Sequence, residues 1–536
     1  MNKEIYNFAL NNKTILIFFL IIYSIYCSLN VGSSWDLRSQ LLLGKSTFDY
    51  IFSFGKINND SYVNLREYNS SSYWTFVYFL TQFFPKNFDL KIFNLINLSI
   101  SWLTLIGFYK LGKILFNNKI GIILFLLLYF NPTFFGHMSI NPKDTILAMA
   151  HIWIFYLIIL YLRKQNNFYD SKKIIYKISF LLAIATGIQL YFIVSLIPIF
   201  IFLIFEIFFF KYIHNKLFNK KKFIKDLILT LIIFYFFLIF FWIDTHSNIL
   251  FKPIELFMSG LDASRGWPVN ILNGKVFFSW EAPKYYFINL LIFKSPEFIL
   301  FLYLLFIFFF FKIKNFYKTK DICFSYKFFY LFILFIFPNI LILLNPFPLY
   351  DGLRLYLWSI PYYLIIPGLT IYYLLSKIEL LSIKIYFFII LFTTTYHLFT
   401  FFSYTPYQYT YLNFLSGTNK NEKFESDYWG VTLKELIHKI KKNYIKKENK
   451  NIYVFFCAVP SDVIKEEISK NKIINMYSVD IKQAEYIILT NRIFAKEIKN
   501  QNKLQIDKCL NYIENNLVTV QRLNHTLSIF GKIKKN

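Results

Sequence analysis

A series of apolar runs, each near the length of a bilayer crossing, fixes the solvent of this chain before anything else. They fall near 13–31, 91–110, 118–136, 144–162, 175–189, 190–210, 226–243, 297–311, 328–345, 355–375 and 384–402, eleven in all. A backbone in hydrocarbon must satisfy its own N–H and C=O groups, so each run is expected to be a helix. Hydrophobic residues make up 56% of the 536 positions, more than a soluble domain can bury. The first run is too long for a secretory signal, has no small-residue cleavage site after it, and is followed by many similar runs. The segment 73–84, "YWTFVYFLTQFF", is too short to cross and is expected at the interface.

Basic residues orient the bundle. With the N-terminus inside, the inner loops hold twenty-one Lys and Arg against four acids, Asp170, Asp226, Asp321 and Glu379, while the alternate loops are nearly balanced. The positive-inside rule therefore predicts N-in, C-out. It also accounts for much of the formal charge of +27, so nucleic acid is not needed as a partner. Heavy use of Phe, Ile, Asn, Lys and Tyr reflects an AT-rich genome, which discounts Lys-rich and Asn-rich patches as functional signals.

This topology leaves two long outer loops, 32–90 and 244–296, and two short ones, "GHMSINPKD" and "NPFPLYDGLR". The membrane domain is expected over 1–403, with an extracytoplasmic α/β domain over 404–536. There "NIYVFFCAVP", "AEYIILTNR", "LVTVQRL" and "TLSIFG" read as strands, and 461–470 and 494–514 as helices. Cys457 and Cys509 lie on that side; a disulfide and two free buried thiols are both compatible with the sequence.

Chemistry is expected on the outer face. The spans contain almost no charge apart from Glu206 near an inner end, unlike an ion-coupled transporter. In a chain that writes Lys by default there are seven arginines, and Arg38, Arg66, Arg265 and Arg354 fall in outer loops. Arg favours bidentate phosphate or carboxylate contacts; the alternative for each is a loop salt bridge. No HExxH or CxxC spacing, phosphate loop or dinucleotide fingerprint is present, so no nucleotide cofactor is indicated. His137 beside "NPKD" reads better as a histidine bonded to a loop carbonyl than as a metal ligand.

Asp36 follows the first span, and Asp144 opens the fourth within "NPTFFGHMSINPKDTILAMAHIWIFYLIILYL". Further on come "WEAPKYYFINLLIFKSPEFILFLYLL", "NPFPLYDGLRLYLWSIPYYLI" and "YQYTYLNFLSGTNKNEKFESDYWGVTLKELIHKI". In order and membrane side these resemble the GT-C glycosyltransferases that use lipid-linked sugars, nearest the protein mannosyltransferase and aminoarabinose transferase branches, over roughly residues 15–440. The individual motifs are loose. Many relatives carry a paired acid in the first loop, whereas Asp36 is followed by Leu37.

The resemblance implies an all-α GT-C-like bundle in the plasma (inner) membrane, with the C-terminal domain periplasmic or extracellular. It also implies transfer of a hexose or pentose from a polyprenyl-phosphate donor to a hydroxyl on a glycan, lipid or protein acceptor. Asp36 would be the general base of an inverting reaction, with Asp144 orienting the acceptor or helping hold a divalent metal, and Glu67 a weaker partner. Arg38, Arg66, Lys143, Arg265 and Arg354 are the candidates for the donor phosphate. Beside this stand plainer readings: Asp36 and Asp144 as helix N-caps, and Arg354 closing a turn onto Asp351. Tyr285, Tyr286 and Trp280 read as an aromatic belt or a sugar platform. A lipid-linked glycan flippase, or an O-antigen-type ligase or polymerase, is the alternative function.

Overall fold

Each of the eleven apolar runs is helical in whole or in part in the computed structural model, which describes residues 13–57, 70–214, 217–260, 267–344, 348–379, 381–445, 451–498 and 503–534. Among these residues six helices are long and apolar enough to cross a membrane: Asp89–Leu115, Pro142–Lys164, Lys220–Phe241, Phe324–Leu344, Arg354–Ser376 and Ile383–Ser403. A seventh results if Tyr286–Lys294 and Glu297–Phe308, bent by 114°, count as one broken span. Thr14–Asn30, Asn118–Tyr129 and Ile197–Phe210 are shorter. The chain is thus a multi-pass membrane protein, with several of the expected runs built as shorter or bent helices among the described residues.

The breaks have local causes. The run at 118–136 stops at Asn131, whose side chain accepts from the Phe134 N–H at 2.9 Å and caps a separate short helix, Pro132–His137. The run at 190–210 is interrupted after Ser195, resumes at Ile197 with Pro198 in its first turn, and ends in a wide turn over Glu206–Phe210.

Helix Pro142–Lys164 is the hub, with 78% of its apolar window buried, whereas Lys220–Phe241 has 6% buried and turns its sides outward. A small residue sets one close approach at the hub: a side chain on Gly107 would collide with the Trp153 indole. The hub's first turn carries Lys143 and Asp144. At the same end the first loop folds into helix Leu37–Phe52, crossed by Ser72–Thr81. Gly44 allows the crossing, since a Cβ there would strike the Trp74 backbone. Ile51, Phe52 and Phe54 remain exposed beside it.

The last long helix ends at Ser403, and the C-terminal portion builds a five-stranded mixed sheet. Met476–Ser478, Ile452–Cys457 and Tyr486–Thr490 run parallel, and His525–Ile533 and Ile513–Arg522 continue the sheet antiparallel. Helix Ser461–Lys470 forms as expected. The expected helix over 494–514 does not: Ile493–Ile498 pairs antiparallel with Lys503–Lys508, followed by a short turn at Cys509–Tyr512. Lys503–Lys508 alternates polar and apolar residues through Ile506, a period of two, whereas Ile493–Ile498 does not and is held as a strand by its partner. That turn brings Cys509 to Cys457, and the two form a disulfide with Cα atoms 5.8 Å apart.

This portion is knitted into the end of the bundle. Lys434 Nζ donates to the carbonyls of Leu29, Asn30 and Val31 at 3.2–3.3 Å, a cation on the C-terminus of the first helix. The Trp35 N–H donates to Trp429 O at 3.0 Å. Val31 and Ile140 from the bundle end share one apolar cluster with Val431, Leu436 and Phe530.

Candidate active site

The "YDGLR" stretch makes a tight turn that needs positive φ at two successive positions, Asp351 (φ 56°) and Gly352 (φ 69°). Gly adopts that region without cost and Asp is among the residues that tolerate it. The turn points Asp351 inward, where one carboxylate serves two arginines. Its Oδ2 lies 2.9 Å from Arg354 Nη2, and its Oδ1 accepts from Arg492 Nη2 at 2.7 Å. All three side chains are buried. Desolvating three charges is costly unless they are paired, and the surrounding rings supply the rest. Arg354 stacks over Trp429 at 4.7 Å and Tyr350 at 5.0 Å; Arg492 lies over Trp267 at 3.7 Å and Trp35 at 4.8 Å. Arg492 Nη1 also donates to Tyr428 O at 2.8 Å.

Asp36 stands at the N-cap position of helix Leu37–Phe52, but its side chain makes no capping hydrogen bond. It is half-buried, next to Trp35 of the Arg492 stack. Its charge acts on Arg354, Lys143 and Tyr350. Asp144 is buried, and its charge also reaches Arg354. The cap of its helix is not Asp144 but Asn141, whose Oδ1 accepts from Asp144 N at 3.4 Å. Asn141 Nδ2 donates to Asp144 Oδ2 at 2.7 Å and lies 3.4 Å from His137 Nδ1. His137 Nε2 is in turn 2.9 Å from the Tyr428 hydroxyl. A buried polar chain therefore runs from Asp144 to the C-terminal segment. Burial holds His137 well below the usual imidazole range, with the Arg354 and Lys294 charges adding to the effect.

"ESDYWG" supplies further groups. Glu425 is buried; its Oε1 accepts from Ile493 N at 3.1 Å, and its Oε2 has no partner among the described residues. Burial pushes its carboxyl up to about 8, Asp351 adding and Arg492 and the Ile493 N–H opposing. Asp427 is structural: it accepts from the Tyr409 and Thr432 hydroxyls and from Val431 N and Thr432 N at 3.1 and 3.0 Å. Three buried donors in this neighbourhood have no partner among the described residues: Arg354 Nε, Arg492 Nε and Trp429 Nε1.

Of the residues singled out in the sequence, Asp36, Lys143, Asp144 and Arg354 come together. Arg38 does not join them. It is exposed and faces Asp462 at 3.5 Å, the loop salt bridge that was its alternative. Arg66, Glu67 and Arg265 lie outside the described residues. Arg492, Trp429, Trp35 and Glu425 were not singled out. The rarity of Arg would have flagged Arg492, and the quoted "DYWG" contains Trp429. Tyr286 is buried, donating to Gly352 O at 3.3 Å, while Trp280 and Tyr285 are exposed. Among the described residues no group of three or more His, Cys, Asp and Glu is arranged to hold a metal ion.

No family model matches this sequence, and no curated protein matches it. Among solved structures the fold is similar to that of ArnT from Cupriavidus metallidurans in the apo state. The two are 9% identical, with a TM-score of 0.52 over 97% of this chain and 98% of that one. The same protein bound to undecaprenyl phosphate aligns over the same shares at 10% identity and a TM-score of 0.46. The apo likeness spans bundle and C-terminal domain together, and it shows a shared fold, a helical membrane bundle carrying a small C-terminal α/β domain.

Proposed function

We propose that this chain is a membrane glycosyltransferase that takes a sugar from a polyprenyl-phosphate donor and attaches it to an acceptor hydroxyl at the outer end of the bundle. One observation carries the reading: an uncapped Asp36 carboxylate in electrostatic reach of a buried Arg354, at the junction of bundle and C-terminal domain. An acid for the nucleophile and a cation for the leaving phosphate are the two groups the reaction needs.

In that reading the acceptor oxygen attacks the anomeric carbon while its proton passes to Asp36. The bond from the anomeric carbon to the phosphate oxygen breaks, and the electron pair leaves with the polyprenyl phosphate, inverting the anomeric centre. Arg354 and Lys143 meet the charge that grows on that oxygen. Asp144, held by Asn141, orients the acceptor. Arg66, Arg265 and Glu67 remain candidates from the sequence. The C-terminal domain, on the periplasmic or extracellular side, covers the acceptor entrance.

The experiment is sugar transfer by purified, detergent-solubilised protein from polyprenyl-phosphate sugars, wild type against Asp36→Asn. A fall of about 10²–10⁴-fold with donor binding retained is the expected result for a lost general base. Unchanged transfer would remove Asp36 from the reaction and move the role to Asp144. Translocation of a lipid-linked glycan across vesicles, without transfer, would replace the enzyme by a flippase.

A further inference from the structure

We infer that Arg492, carried by the C-terminal domain, is a positioning residue that sets the charge and geometry of the donor-phosphate pocket through Asp351. The inference rests on the transferase reading and adds to it a residue and a part of the chain. The Asp351–Arg354 pair looks at first like a closed turn within one loop. Had Asp351 only that partner, the pair would be neutral, and Arg354 would offer an incoming phosphate little net attraction.

Arg492 changes the balance. It takes the second oxygen of Asp351 at 2.7 Å, so two cations share one anion and the trio keeps one positive charge. With 4% of its side chain exposed, Arg492 is screened little by water, and that charge is felt at close range. The free donors match this account. Arg354 Nε, Arg492 Nε and Trp429 Nε1 are buried and have no partner among the described residues, and Trp429 lies under the Arg354 guanidinium. Native proteins rarely leave buried donors unmet, and an anion rich in acceptor oxygens satisfies several at once.

Arg492 also fixes what surrounds the Asp351–Arg354 pair. Its faces contact Trp35 and Trp267, its Nη1 holds Tyr428 O, and Trp267 Nε1 donates to Ile493 O at 2.9 Å. Trp35 directly precedes Asp36. One side chain of the C-terminal domain therefore touches the first loop, the long loop 244–296 and the "YDGLR" turn. The domain is a working part of the site as well as a cover over it.

The test is a charge-balance cycle in the full-length protein, with undecaprenyl phosphate as probe and binding read by tryptophan fluorescence. Arg492→Gln leaves Asp351 to neutralise Arg354, and affinity is expected to fall by roughly tenfold or more, the worth of a charged hydrogen bond. Arg492→Gln/Asp351→Asn restores the single positive charge and is expected to recover most of that loss. Arg492→Lys keeps the charge without the stacked fork and should bind in between. Wild-type affinity in Arg492→Gln, or no recovery in the double variant while it melts like the single one, overturns the inference and leaves the transferase reading standing. No binding by the wild type overturns both.

Discussion

His137 and Tyr428, 291 positions apart in sequence, meet in a buried hydrogen bond of 2.9 Å between the imidazole Nε2 and the phenol hydroxyl. The bond ties the short loop before the hub helix to the C-terminal domain, and through Asn141 it reaches Asp144. Tyr428→Phe strands one ring nitrogen of the buried His137 and is expected to cost about 1–3 kcal/mol. Thermal melting in detergent measures it. A His137→Phe/Tyr428→Phe pair, which removes both partners, should recover part of the loss; an unshifted melting point in the single variant would refute the linkage.

Arg354 is expected to tolerate no substitution. Lysine can face Asp351, but it has no planar fork to stack on Trp429 and no Nε–H to offer. Arg354→Lys should weaken polyprenyl-phosphate binding by roughly tenfold or more, as for any lost charged hydrogen bond. Titration of the phosphate lipid checks it, and equal affinity would exclude Arg354 from the phosphate site.

Glu425 gives stability a pH dependence of defined sign. Its carboxyl sits at about 8 in the folded protein against 4.5 as the ordinary value. Between those values the unfolded chain has released the proton that the folded chain still holds. Stability contributed here is therefore lost as pH rises through that window and levels off above it. Glu425→Gln removes the titration, so wild type should lose melting temperature relative to the variant from pH 5 to pH 8. Parallel curves would show that Glu425 is ionised in the folded state.

The Cys457–Cys509 disulfide closes a loop of 52 residues. By the chain-entropy argument its removal costs about 4 kcal/mol. Cys457→Ala/Cys509→Ala should loosen the sheet, whose core includes Ile487, Leu489 and Ile529 around the two cysteines. Limited proteolysis is expected to cut 451–534 first, with the bundle intact; equal resistance would mean that the sheet holds without the bond.

The sequence by itself determined the solvent, and with it the helices. Backbone groups in hydrocarbon leave no other choice, so the runs from 13–31 to 384–402 are all helical in whole or in part. It also carried Asp36, Asp144, Lys143 and Arg354, because a charge at a membrane mouth is conspicuous against an apolar background. The helix placed over 494–514 failed where that background ends. Outside the lipid, lysine-rich segments such as "KLQIDK" fit a hairpin as well as a helix, and the partner strand decides.

Only tertiary structure decided how the charges pair. Arg38 and Arg492 look alike in sequence, yet one meets Asp462 at the surface and the other is enclosed by Trp35, Trp267 and Asp351. Side-chain electrostatics depend on distance and desolvation, and both are set by which distant segments the fold brings together. Local sequence records the groups; the packing of residues 425–432 and Arg492 against the bundle determines what those groups do.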